Sequence, residues 1–326
     1  MGGDIHICAL ILSSKSLLIL YISSLIGSSL SLFASLFNII FYLLKRRRLF
    51  SRVEDTNPLL LPAYDLDNSI NNNDNNNNNG STGNISPSVD NSPRTINHLV
   101  FFLSVADFIA CSALVLTQIS MLFNAPFANT LNYCIAARSV IHFGFLSSFL
   151  WTNCIAYYLL REVFEWNSCH VPSAVYHVFS WGLALLGVSS FFFGDNVITQ
   201  DENGCSRCSI NAQYQLYLWV IPLIVSFVWN LLCYILIYRK FSRILTFGAF
   251  GHSSKPLKNH VAKKLTLYLG VFLLCWIWDV INHTVFLFRG VCPPFWLWIL
   301  QDVMSPSQGF FNFLVYAFAN IKVNFD

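Results

Sequence analysis

The chain has 326 residues, of which 55% are hydrophobic, 16% aromatic and only 11% charged. A water-soluble globular domain carries about a quarter charged residues, so this composition excludes an ordinary soluble fold and leaves room for several bilayer crossings of ~20 apolar residues each. The net charge of +3 is small, and no basic run is interleaved with aromatics on a polar background, so nucleic-acid binding has no support.

The chain opens MGGD and holds no basic residue before Lys15. A cleaved signal needs a basic start and a small-residue cleavage site, so the first apolar run is read as a retained span. His6 stands where myristoylation wants Ser or Thr.

Seven apolar runs follow, at 17–44, 98–123, 133–160, 173–194, 214–238, 263–288 and 295–319. None alternates in the two-residue rhythm of a barrel strand. In hydrocarbon every backbone polar group must be satisfied within the protein, which leaves helices. The expected fold is an all-α membrane protein, a seven-transmembrane helix bundle occupying 17–44 and 98–320. With the N-terminus outside, 15 of the 19 Lys and Arg residues fall on the cytoplasmic side, led by the run Lys45-Arg46-Arg47-Arg48. The positive-inside rule therefore predicts a short extracellular N-terminus (1–16) and a short cytoplasmic tail (321–326).

The segment 45–97 is rich in Asn, Ser and Pro and contains NNNDNNNNNG at 71–80. It has too little apolar surface to offset the cost of ordering, so it reads as a disordered first cytoplasmic loop. The glycosylation sequons at Asn79 and Asn84 then face the cytoplasm and stay unmodified. Sugar on Asn84 would reverse the orientation.

The ten cysteines divide by depth. Cys111, Cys154, Cys233 and Cys275 fall within spans and read as packing, and Cys169 reads as cytoplasmic and reduced. Cys8, Cys134, Cys205, Cys208 and Cys292 fall on the oxidising side, where a bridge from Cys134 to Cys208 or Cys205 would fasten the second outer loop over the bundle. A Cys8–Cys292 bridge is a weaker expectation.

Polar side chains within spans are expensive and ask for partners. Asn38, Asp107 and Asn312 fall at depths that agree within about one helical turn. With Gln308, they are read as an interhelical activation network, against a static role as glue between helices. A second group lies in the outer half. Asp279 and His283 are four residues apart on one helical face, Asn282 is beside them, Gln301 and Asp302 enter the seventh run, and Trp276 lies just below. Polar groups converging near aromatics describe a small-molecule pocket. The competing readings are trapped water or a proton-coupled carrier using Asp279, His283 and Asp302. Pro222 and Pro306 lie inside runs and predict kinks. No catalytic motif and no paired Cys/His set is present, so neither an enzyme, a metal nor a cofactor is expected.

Several segments, in order, resemble the cyclic-AMP-receptor family of G-protein-coupled receptors, especially its receptor-like branch. They are Leu103-Ser104-Val105-Ala106-Asp107-Phe108, Trp151-Thr152-Asn153-Cys154-Ile155-Ala156-Tyr157, Trp181-Gly182-Leu183, Cys208-Ser209-Ile210, Cys275-Trp276 with Asn282, and Ser307-Gln308-Gly309-Phe310-Phe311-Asn312. The third run ends Leu160-Arg161-Glu162, unlike rhodopsin-type receptors, and the long first loop departs from the cyclic AMP receptors proper. The resemblance implies Cys208 as the partner of Cys134. It further implies a plasma-membrane location, an extracellular small-molecule ligand, cyclic AMP among the candidates, and a heterotrimeric G protein inside, met by Arg161, Arg239, Lys240 and Arg243. A nucleotide phosphate wants a cation in the pocket, and Arg138 is the best placed. Its replacement by Ala is expected to weaken an anionic ligand about tenfold or more.

Overall fold

The computed structural model describes residues 14–56, 92–123, 125–164, 171–194, 197–199, 209–246, 255–289 and 292–321. Helix α1 covers Ser14–Thr56 and α2 covers Ser92–Leu122. A single 3-10 turn, Pro126–Asn129, leads into α3, Leu131–Val163, whose first turn is capped by the Thr130 hydroxyl. Helix α4 runs over Ser173–Phe193 with a π turn at Val178–Gly182. Helix α5 begins at Ala212–Gln215, passes through a π turn at Leu216–Val220 and continues over Ile221–Thr246. Helix α6 spans Lys255–Arg289, and α7 and α8 cover Phe295–Met304 and Gln308–Ile321. A two-residue antiparallel ladder joins β1, Ile198–Thr199, to β2, Ser209–Ile210.

Six of these helices, α1 to α6, are long and apolar enough to cross a membrane. The chain is therefore a helical, multi-pass membrane protein, as its lack of charge predicts. The seventh apolar run is divided, and its two halves have a local cause. Pro306 has no N–H to continue the ladder, and the Ser307 amide turns to the Met304 carbonyl at 3.1 Å. The Val303 carbonyl is then taken by the Ser307 hydroxyl at 2.6 Å, and the Pro306 carbonyl accepts from the Cys111 thiol at 3.6 Å. Neighbouring side chains thus re-satisfy the backbone that a proline frees. Pro222, by contrast, sits within α5 just after its π turn, and the helix carries on.

Helices α1 and α2 run antiparallel. Between α1 and α2, Gln118 reaches Ser24 at 3.5 Å while Tyr42 stacks on Phe101 at 4.4 Å. Helix α3 is the centre of the bundle and packs against α2, α4, α5 and α6. Its approach to α2 depends on Gly144, where an added Cβ would stand 2.6 Å from the Ala110 Cα. Two apolar layers fill the interior. One gathers Leu99, Leu103, Trp151, Leu159, Tyr268 and Tyr316, the other Phe145, Phe149, Leu223, Phe272 and Trp276. Large apolar residues such as Phe33, Leu186 and Val225 point outward, as lipid-facing positions do. Helices α1 and α2 extend into 45–56 and 92–97, a stretch expected as loop. The Asn-rich run at 71–80 lies outside the described residues, as do Asn79, Asn84, residues 1–13 and 322–326.

Candidate functional site

Two polar layers cross the bundle, one on each side of the Phe145–Phe149–Trp276 aromatic group. The first is built on Asp107 of α2, which is only 3% exposed. One carboxylate oxygen accepts the Ser148 hydroxyl of α3 at 2.6 Å, and the other accepts the Asn312 amide of α8 at 3.1 Å. Ser148 accepts in turn from the Gln308 amide at 3.2 Å, and the Gln308 carbonyl oxygen receives the Trp276 indole N–H of α6. Asp107, Gln308 and Asn312 are thus brought together through Ser148 and the Asp107 carboxylate. Asn38 is not in direct contact with them. Its amide reaches the Ser104 hydroxyl at 3.4 Å, a turn away along α2.

The second layer is built on Asp279 of α6, fully buried at 0% exposure. Three helices supply its donors. The Trp219 indole of α5 donates at 3.0 Å and the Gln301 amide of α7 at 2.7 Å. The His283 ring nitrogen Nδ1 lies 2.8 Å from the carboxylate and 3.0 Å from the Asp279 carbonyl. Both neighbours are acceptors, so Nδ1 carries the hydrogen. Asn282 donates to the Gln301 carbonyl oxygen and to the Leu297 carbonyl at 3.3 Å. Asp302 lies within electrostatic reach of Asp279 but makes no hydrogen bond or ion pair among the described residues. Gln301 thus links Asp279 to Asn282, while His283 joins the layer through Asp279.

Trp276 belongs to both layers. Its N–H is committed to Gln308, while its ring packs on Trp219 at 5.8 Å, Phe149 at 4.5 Å and Phe145 at 5.6 Å. Arg138 is half-buried on α3, one turn above His142, whose ring bonds the Arg138 carbonyl at 2.9 Å and packs on Trp219 at 5.1 Å.

Three participants escape a sequence reading. Ser148 and Trp219 are ordinary residues of apolar runs until the fold aims them at a carboxylate. The third is a clasp between α3 and α5. Asn153 donates to Ser226 at 2.9 Å and accepts from Asn230 at 2.6 Å. Asn153 and Asn230 both carry a signal, as bare amides in hydrocarbon.

At the opposite end, Arg161 lies 4.0 Å from Glu162 and 5.6 Å from the Tyr158 ring centre, while Arg239 and Lys240 are exposed. The Arg243 side chain lies outside the described residues. Cys134 and Cys292 are each disulfide-bonded, whereas Cys8, Cys205 and Cys208 lie outside the described residues. Cys111, Cys154, Cys233 and Cys275 are free and buried.

A multi-pass helical bundle with polar layers shared among most of its helices has the build of a membrane receptor. A profile described as "Slime mold cyclic AMP receptor" matches residues 94–324, and the chain belongs to that family. It is 48% identical over 227 residues to "Cyclic AMP receptor-like protein B" of Dictyostelium discoideum, covering 69% of this chain and 51% of the relative. It is 32% identical over 232 residues to "Cyclic AMP receptor-like protein C" of the same organism, covering 68% and 63%. To "G-protein coupled receptor 1" of Arabidopsis thaliana it is 24% identical over 228 residues, covering 68% and 67%. The chain thus spans between half and two-thirds of the length of the first two relatives.

Proposed function

We propose that this chain is a plasma-membrane receptor that passes an extracellular small-molecule signal to a heterotrimeric G protein. The observation that carries this reading is the continuity between the two polar layers. From Asp279 the contacts run through Trp219, Trp276, Gln308 and Ser148 to Asp107 and Asn312, across five helices. A ligand that favours one arrangement of the Asp279 layer would bias the arrangement of the Asp107 layer, because differential binding is what shifts a two-state equilibrium.

On this reading the N-terminus is outside and the C-terminus inside. Helices α7 and α8 together make the seventh crossing, since their combined 24 residues exceed the ~20 that a span needs. The Asp279 layer then opens outward, and Arg161, Arg239, Lys240 and Arg243 face the G protein. The Cys134 bridge goes to Cys208 and holds the outer loop. Cyclic AMP belongs in the first ligand screen because the names of the Dictyostelium relatives carry it, and Arg138 is the residue its phosphate would need.

The test is ligand-stimulated nucleotide exchange on reconstituted G proteins. Exchange that rises with ligand in the wild type and fails in Gln308→Leu supports the reading. Substrate accumulation in sealed vesicles, without exchange, would replace it with a carrier built on Asp279, His283 and Asp302.

A further inference from the structure

Two histidines take no part in either polar layer. His98 lies on α2 and His177 on the first turn of α4, and both are half-buried. Their rings meet edge to face at 5.2 Å. Phe102 of α2 touches both, 4.7 Å from His98 and 4.4 Å from His177, and Trp151 of α3 stands 5.1 Å from His177. Trp181, one turn further along α4, packs on Trp151 at 5.9 Å and on Phe102 at 6.5 Å. The two imidazoles thus belong to one aromatic box shared by three helices. Neither has a hydrogen bond or ion pair among the described residues.

Such a box accepts two neutral rings but not two charged ones. Imidazole takes up a proton near pH ~6.5. One charge is tolerated, because an aromatic face attracts a cation. A second would set two positive charges at the 5.2 Å ring separation, in surroundings that screen far less than water. Nothing nearby offsets them. Arg46 of α1 is within electrostatic reach of His98 and carries the same sign. Arg161 and Glu162 of α3 lie 4.0 Å apart and act on Tyr176 rather than on either histidine. No carboxylate among the described residues acts on the pair.

We infer that His98 and His177 form a proton-operated latch. Neutral, they hold the start of α4 against α2 and α3; doubly protonated, they release it. The segment that yields is short, Ser173–His177, set between Pro172 and the π turn at Val178–Gly182, where the regular hydrogen-bond ladder is interrupted. It carries Tyr176, which is buried in the inner apolar layer with Leu159 and Leu160 of α3, next to Arg161. The latch deepens the receptor reading and rests on it only for the side it faces. On that reading the box lies toward the cytoplasm, so a fall in cytoplasmic pH alters the surface offered to the G protein. The unfolded chain takes up both protons and the latched chain does not, so stability is full at higher pH and is lost as the pH falls.

The experiment uses the purified full chain in lipid nanodiscs. Unfolding temperatures are measured at about pH 7.5 and about pH 5.5, on either side of the imidazole range, for the wild type, His98→Phe, His177→Phe and the double variant. Phenylalanine keeps a ring in the box and removes the titration, and the remaining histidines are common to all four proteins. The wild type is expected to lose at least a few degrees more on acidification than the double variant, and either single variant is expected to remove most of that excess. Equal acid sensitivity in all four overturns the inference. So do single variants that each remove half, since the histidines then titrate independently. Hydrogen exchange of the wild type, corrected for its intrinsic pH dependence, tests the same point without a variant. Faster exchange over 173–182 than over 183–193 is expected at the lower pH, and no such difference also overturns the latch. Ligand-stimulated nucleotide exchange with a flat cycle would keep the receptor and remove the latch. A coupled cycle with no exchange on any G protein would do the reverse.

Discussion

Asp107 and Asp279 pose the same physical problem, a carboxylate buried in a bilayer-spanning bundle, and the bundle solves it in two ways, with neutral donors at Asp107 and with His283 among the donors at Asp279. Asp107 is matched one donor to one oxygen, by a hydroxyl and an amide. Its surroundings are closed by tight backbone packing at Gly144 and at Gly309, whose missing Cβ would collide with the Ser31 and Ser35 hydroxyls. Asp279 is held by three donors from three helices, yet the same layer leaves Asn282 Oδ1 and Asp302 unmatched. Hydrogen-bond donors from neighbouring helices can take the place of water around a buried carboxylate.

That contrast can be broken at several points. The largest effect is expected from Gly144→Leu, which forces α3 off α2 where a single Cβ already stands 2.6 Å from Ala110. A loss on the order of 3 kcal/mol or more follows from overpacking, seen as little folded protein by size-exclusion chromatography. Asp107→Ala comes next. It leaves Ser148 and Asn312 without their acceptor, at about 1–3 kcal/mol for each stranded group, and should lower the unfolding temperature clearly. If Asp107→Ala unfolds no more easily than the wild type, the matched layer is not a structural element. A smaller effect, about 0.5–1 kcal/mol, is expected as the coupling between Trp219→Phe and Gln308→Leu in a double-mutant cycle. Strict additivity would mean that the two layers do not communicate. Smallest of all is the stability change in Arg239→Ala with Lys240→Ala, within about 0.5 kcal/mol for exposed positions. G-protein exchange, in contrast, is expected to drop, and unchanged exchange would move the contact elsewhere.

Much of this arrangement is legible in the sequence because polar atoms in apolar runs are costly. Asp107, Asn312, Asp279, Asn282 and Gln301 announce themselves on that ground; depth reckoned at ~1.5 Å per residue puts Asp107 and Asn312 at one level, and the structure has a hydrogen bond between them. The same reckoning places Asn38 with them, whereas its partner is Ser104, three positions along α2. An uncertainty of one turn is enough to exchange one neighbour for another. Ser148 is silent because a serine can satisfy itself on its own helix, so its presence in a span asks no question. Trp219 is hidden for a different reason. It sits inside a π turn, and the extra residue in that turn shifts the phase of every wheel drawn at 3.6 residues per turn. The divided seventh run is half legible: Pro306 marks the spot, but the choice between a bend and a full interruption depends on Ser307 and Cys111 taking up the freed carbonyls.

The side of α1 that meets this interruption has a mechanical meaning. Gly27 lies against the Val303 carbonyl and Ser31 and Ser35 lie against Gly309, so α1 touches the chain just before and just after the joint. Those contacts are made of bare backbone and hydroxymethyl groups, and the Ser35 hydroxyl has no hydrogen-bond partner among the described residues. Such a face lets α1 lie close against both halves of the seventh run at once, and a branched side chain at Ser35 would push Gly309 away from it.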